Sequence, residues 1–257
     1  MKNFISTLKF IINLVVLNIF SSGISILFTC IFFKNPIKST LISISLSYLI
    51  MFSLLYYFST SYKYLISKDD FKKISIKNVY YIALFGFGFS VILSILTILL
   101  DSIFPSYTEI SNKMLSQSTS IINLICSVVF IPICEEIIFR GMIFNFLKRY
   151  YSLIGAIFLQ ALFFGISHGN IVQGIYTFIG GIALALIYVY CGSMIGNIIL
   201  HMIYNLCGLV IMPEYLFTDE SINYLFMIIG VIVFIFSSFK MISNYKKDSR
   251  IRVLNDQ

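Results

Sequence analysis

The sequence predicts an all-α fold: a polytopic membrane helix bundle of about eight transmembrane helices with both termini in the cytoplasm. Three observations carry that prediction. Of the 257 residues, 59% are hydrophobic and 11% charged, with mean hydropathy +0.95, well outside the balance of a soluble domain. Segments 10–33, 39–62, 78–100, 114–134, 150–213 and 221–239 contain no Asp, Glu, Lys or Arg, and about 20 such residues suffice to cross a bilayer as a helix. Basic residues are divided between alternate loops. Lys2, Lys9, Lys63, Lys68, Lys72, Lys73, Lys77, Lys148, Arg149 and Lys240 with the basic residues after it fall on one side; Lys34, Lys38 and Lys113 fall on the other. That asymmetry puts both termini inside. The regular alternation of a membrane β-barrel is missing.

Each element follows from local signals. The first apolar run comes after Lys2 and Lys9, as in a signal peptide, but it is too long for an h-region and lacks an A-x-A site. It reads as an uncleaved helix. Two further spans follow, separated by the basic stretch 63–77, which reads as a cytoplasmic loop with a short amphipathic helix on the membrane surface. Residues 101–118, rich in Ser and Thr, read as an outside loop. Segment 114–134 opens the fourth span. The long block 150–213 divides into three short spans at "HGN" (168–170) and "CGS" (191–193), where glycine permits turns. The last span covers 221–239, and 241–257 is a polar cytoplasmic tail expected to be poorly ordered.

The net charge of +7 is explained by the basic cytoplasmic loops and their contact with anionic lipid, so no nucleic-acid partner is expected. Cys30, Cys126, Cys134, Cys191 and Cys207 show no C-x-x-C spacing and read as small apolar packing residues. Heavy use of Ile, Phe, Lys, Asn and Tyr points to an AT-rich bacterial genome, hence a bacterial plasma membrane.

Chemistry concentrates in spans four to seven, whereas spans one to three read as scaffold. An ionisable group at membrane depth costs about 2.5–3.5 kcal/mol on insertion scales, so it needs a partner or a purpose. "CEEIIFR" (134–140) contains three. Glu136 and Arg140 are four apart with Glu first, the favourable order for an ion pair on one helix face. Glu135 is rotated by about 100° and faces elsewhere. Pro132, one turn upstream, removes a backbone hydrogen bond. A buried polar knot that only locks helices would leave the second carboxylate without compensation. The two histidines of the chain extend the pattern: Phe164 and His168 share a face at i,i+4, as do His201 and Asn205. By helical rise, Glu135 lies about 20 Å from Lys148, His168 about 24 Å from Ser152, Asn205 about 18 Å from Ser193 and His201 about 12 Å, so one level can collect them. A carboxylate, two imidazoles and a carboxamide suit hydrolysis: Glu135 as general base, His168 holding water, His201 and Asn205 as oxyanion donors. No Ser or Cys occupies a nucleophile motif, which favours direct attack by water.

Glu135-Glu136-x-x-x-Arg140, Phe164-x-x-x-His168 and His201-x-x-x-Asn205, in this order, resemble the CPBP intramembrane protease family, over residues 132–210. That family includes eukaryotic CAAX prenyl endopeptidases of the Rce1 type and bacterial Abi or bacteriocin-immunity proteins. The resemblance implies that Glu135 and His168 activate water, that His201 and Asn205 stabilise the oxyanion, and that Glu136, Arg140 and Phe164 support them. It divides the chain into a membrane scaffold (1–113), a catalytic helix bundle (114–240) and the tail (241–257). The expected activity is that of an intramembrane endopeptidase acting on a membrane-associated or lipidated peptide or protein within the lipid bilayer. Metal-independent catalysis is favoured; the alternative is zinc on Glu135, His168 and His201 with an open position. Two other functions fit the same residues: a non-catalytic, bacteriocin-immunity-type binding protein, and a transporter subunit with Glu135 in a proton path.

Overall fold

Backbone in a bilayer must satisfy its N–H and C=O groups internally, so each charge-free run folds as a helix. The structure, a computed structural model, describes residues 2–33, 40–58, 65–117, 120–215 and 220–255, and its regular elements are helical throughout. In chain order they are α1 (Lys2–Phe32), α2 (Thr40–Phe58), α3 (Ile76–Ile103), α4 (Tyr107–Gln117), α5 (Ile121–Leu147), α6 (Leu153–Ile166), α7 (Ile171–Cys191), α8 (Met194–Ile211) and α9 (Glu220–Asn255). Among the described residues, seven helices are long and apolar enough to cross a membrane. The protein is an integral membrane protein. The eighth expected span is α6, whose 14 residues reach only about 21 Å against a hydrocarbon core of about 30 Å.

The breaks in block 150–213 fall where glycine was expected to permit them. Gly169 and Gly192 have φ of 68° and 61°, a left-handed conformation that glycine adopts without a Cβ clash. Asn170 then caps α7 by accepting from Val172 N and Gln173 N, and Ser193 caps α8 through Ile195 N.

Three segments differ from expectation. Of segment 63–77, the described residues 65–75 form no α-helix: they are extended, with one short 3-10 turn at Lys68–Phe71. The reason is tertiary. Asp70 accepts hydrogen bonds from Ser67 and Tyr188, Asn145 donates to Leu65 O (2.9 Å), and Ser193 donates to Lys72 O (2.6 Å). Partial burial alone would raise the Asp70 carboxyl, but bonds from Tyr188, Ser67 and Asn145 outweigh it and hold the group below the usual carboxylate range. Within 101–118 the chain forms α4, anchored by buried Tyr107, whose hydroxyl donates to Tyr176 (3.1 Å), and by Thr108 donating to Asp101. The polar tail continues α9 as helix to Asn255. Lys34, Lys38 and Lys63 lie outside the described residues.

Packing places α5 centrally. α1 and α2 form a hairpin, α2 lies against α5, and α5 contacts α6 and α8. Phe10 of α1 stacks on Phe146 of α5 with centroids 4.1 Å apart. α3 meets α9 at a close backbone crossing: a Cβ on Gly88 would lie 2.6 Å from Gly230 O, and one on Gly230 2.5 Å from Val91. Small residues let membrane helices approach in this way. α1, α2 and α9 turn large apolar side chains outward, Ile19, Leu27 and Ile232 among them, a surface suited to lipid.

Candidate active site

The site begins with a backbone defect in α5. This helix contains two π-helical segments, Cys126–Phe130 and Ile137–Phe144, on either side of Ile131–Glu136. In the first, Ile131 N–H donates to Cys126 O, a five-residue step. The next donor in that register is residue 132, a proline with no N–H, so the carbonyl of Ser127 loses its helical partner. Asn205 of α8 supplies one: its Nδ2 donates to Ser127 O at 2.8 Å. Pro132 thus opens a position on α5 that α8 fills.

Downstream of the defect, Glu136 and Arg140 form the ion pair their spacing suggests, Nη1 to Oε1 at 2.9 Å, and both are fully buried. Burying the pair is costly, and further polar contacts offset that cost, although Arg140 Nε is left without a partner. Arg140 Nη2 donates to Gly181 O (3.2 Å), and the guanidinium carbon lies 4.7 Å from the Phe164 ring centroid. Glu136 also accepts from Asn197 Nδ2 and, at 2.7 Å, from His201 Nδ1. Gln160 shares the Gly181 carbonyl (2.8 Å).

Glu135 points the other way. Its side chain is 14% exposed; one oxygen accepts from Tyr48 OH at 3.3 Å and the other lies 3.6 Å from His201 Nε2. His201 therefore sits between the two adjacent glutamates, one ring nitrogen towards each. A carboxylate only accepts, so Nδ1 carries a proton; Nε2 then donates only when the ring is an imidazolium. His168 lies just beyond the end of α6, in the turn before α7, rather than inside the helix. Its Nδ1 is 2.7 Å from Phe164 O, and a carbonyl only accepts, so Nδ1 is the donor. Phe164 separates the groups, edge-on to His168 (4.9 Å) and to His201 (5.8 Å).

Glu135, His168, His201 and Asn205 line one cavity of about 370 Å³, with Phe164 at its wall. Its remaining surface is mainly apolar and comes from α2, α3, α4, α7 and α8. Several of these polar partners are not apparent from the motifs. Asn197 lies one turn before His201, and Gln160 one turn before Phe164, so extending each i,i+4 ladder backwards would have found both. Tyr48 has no such signal, because it comes from α2, which reads as scaffold. Glu135, His168 and His201 do not gather as a zinc ligand set: among the described residues no three His, Cys, Asp or Glu side chains converge to hold a metal ion.

Residues 117–207 match the family model of the Rce1-like type II CAAX prenyl endopeptidases. The match spans Glu135 through Asn205 and ends two residues beyond it. No curated protein matches the chain, and no solved structure does.

Proposed function

We propose that this protein is an intramembrane endopeptidase that hydrolyses a peptide bond of a membrane-associated or lipidated substrate by direct attack of water. The observation that carries the reading is the meeting of Glu135, His168, His201 and Asn205 on one largely apolar cavity, all four within the segment that matches the endopeptidase family. Glu135, tethered by Tyr48 and beside His201, takes a proton from a water whose oxygen attacks the carbonyl carbon. His168, with Nδ1 engaged on its own helix, offers Nε2 to orient that water. The oxyanion is held by His201 Nε2–H and by the second amide hydrogen of Asn205, the first being used on Ser127 O. Collapse breaks the C–N bond, and the proton on Glu135 passes to the leaving amine. Glu136 and Arg140 act on His201 rather than on substrate.

Membranes containing the wild-type protein or Glu135→Gln, compared by peptide mass spectrometry, test this. Cleaved peptides should appear only with the wild type, while the variant inserts and melts normally. Cleavage by Glu135→Gln at the wild-type rate would overturn the mechanism. Thorough chelation should leave wild-type turnover intact; loss of activity with bound zinc, restored on its return, would replace this scheme with a metal-dependent one.

A further inference from the structure

Of the 14 glycines, nine would bring an added Cβ within 3.3 Å of a neighbour, and Gly169 and Gly192 have positive φ. The fold explains those positions. Gly23, Gly180 and Gly208 have helical backbone and nothing within 4 Å of a Cβ. Alanine would be the better helix former at all three. Gly23 is on the exposed side of α1. Gly180 and Gly208 both line the cavity, from two different helices.

Their positions within each helix are informative. On α7 the cavity face runs Gln173, Thr177, Gly180, Leu184, at steps of three and four. Gly181, the next residue, is rotated by about 100° and faces α6, where its Cβ would meet Ala161 at 3.0 Å. One glycine of the pair serves helix packing and the other leaves space in the cavity. On α8, Gly208 lies four residues after Tyr204 and three after Asn205, so a side chain there would project beside the proposed oxyanion donor. The neighbouring cavity surface is apolar, with Leu184, Leu209 and Met212.

We infer that Gly180 and Gly208 are specificity-determining residues that keep room for a large apolar side chain of the substrate next to the scissile bond. The inference rests on the endopeptidase reading. It is tested with the full-length protein in proteoliposomes, comparing wild type with Gly180→Ala, Gly180→Leu, Gly208→Ala and Gly208→Leu. The probe is a pool of acylated peptides randomised at four positions and carrying a photo-crosslinking residue. Mass spectrometry reads both cleavage and crosslinking. The wild type should prefer peptides with Leu, Phe or Trp flanking the cut. Each Leu variant should lose those peptides by tenfold or more while retaining peptides with Gly or Ala there. The Ala variants should melt at or above the wild-type temperature, because the methyl enters open space. Unchanged size preference in both Leu variants, or a lower melting temperature in both Ala variants, overturns the inference. If the wild type cleaves nothing, the endopeptidase reading fails. Crosslinking then decides the size filter: a shift towards small side chains in the Leu variants supports it, and no shift overturns it.

Discussion

Adjacent glutamates with opposite surroundings are the central fact at the scale of residues. Glu136 has no exposure and three polar neighbours, Arg140, Asn197 and His201, whereas Glu135 reaches the cavity. Glu136→Gln should therefore be a stability variant. Removing one member of a buried pair leaves Arg140 uncompensated, at a cost of about 3–5 kcal/mol. A lower melting temperature and poor yield are the expected outcome; a stable, inactive Glu136→Gln beside an active Glu135→Gln would reverse the two roles. Tyr48→Phe removes only the hydroxyl that fixes one Glu135 oxygen. A hydrogen bond to a charged group is worth about 1.5–3 kcal/mol, so kcat should fall by about tenfold to a hundredfold with melting temperature little changed. Unaltered kcat would show that His201 alone positions the base.

At the scale of elements, the π-helical segments and Pro132 explain how α5 and α8 are joined. Ser127 O lacks a helical donor because residue 132 is proline, and Asn205 fills the gap. Asn205→Ala in the wild type should cost about 1–3 kcal/mol for an unpaired buried carbonyl. In a Pro132→Ala background the new backbone N–H satisfies Ser127, and the same Asn205→Ala change should cost much less. Thermal melts of the four proteins form a double-mutant cycle that measures this coupling. Additive losses would show that Asn205 does not compensate for the proline. The short α6 has a related meaning. It stops early and leaves His168 in a turn, and non-helical backbone at membrane depth is tolerated where it lines a cavity.

For the whole molecule, the charge asymmetry makes a prediction about sidedness. Single cysteines introduced at Lys73, Ser102 and Arg149 in a cysteine-free background should react differently with an impermeant maleimide. Only the cysteine at 102 should label in intact cells, and those at 73 and 149 should label after lysis. Labelling of the cysteine at 149 from outside would place the end of α5 on the opposite face and reverse the orientation.

The sequence by itself determined the helical class, the breaks at Gly169 and Gly192, and the Glu136–Arg140 pair. These depend on hydropathy and on spacings of three and four, which act within one helix. The family match over 117–207 agrees with the three motifs because they are local patterns too. Only the tertiary structure decided that α2, read as scaffold, brings Tyr48 to Glu135, and that segment 65–75 docks on α5, α7 and α8 instead of forming an amphipathic α-helix. It also decided that Asn205 answers Pro132 across two helices. Each of these pairs residues more than 40 apart in sequence, and no periodicity reports which helix face will meet which. Packing selects those contacts, because a buried polar group left without a partner is costlier than the helix shift that supplies one.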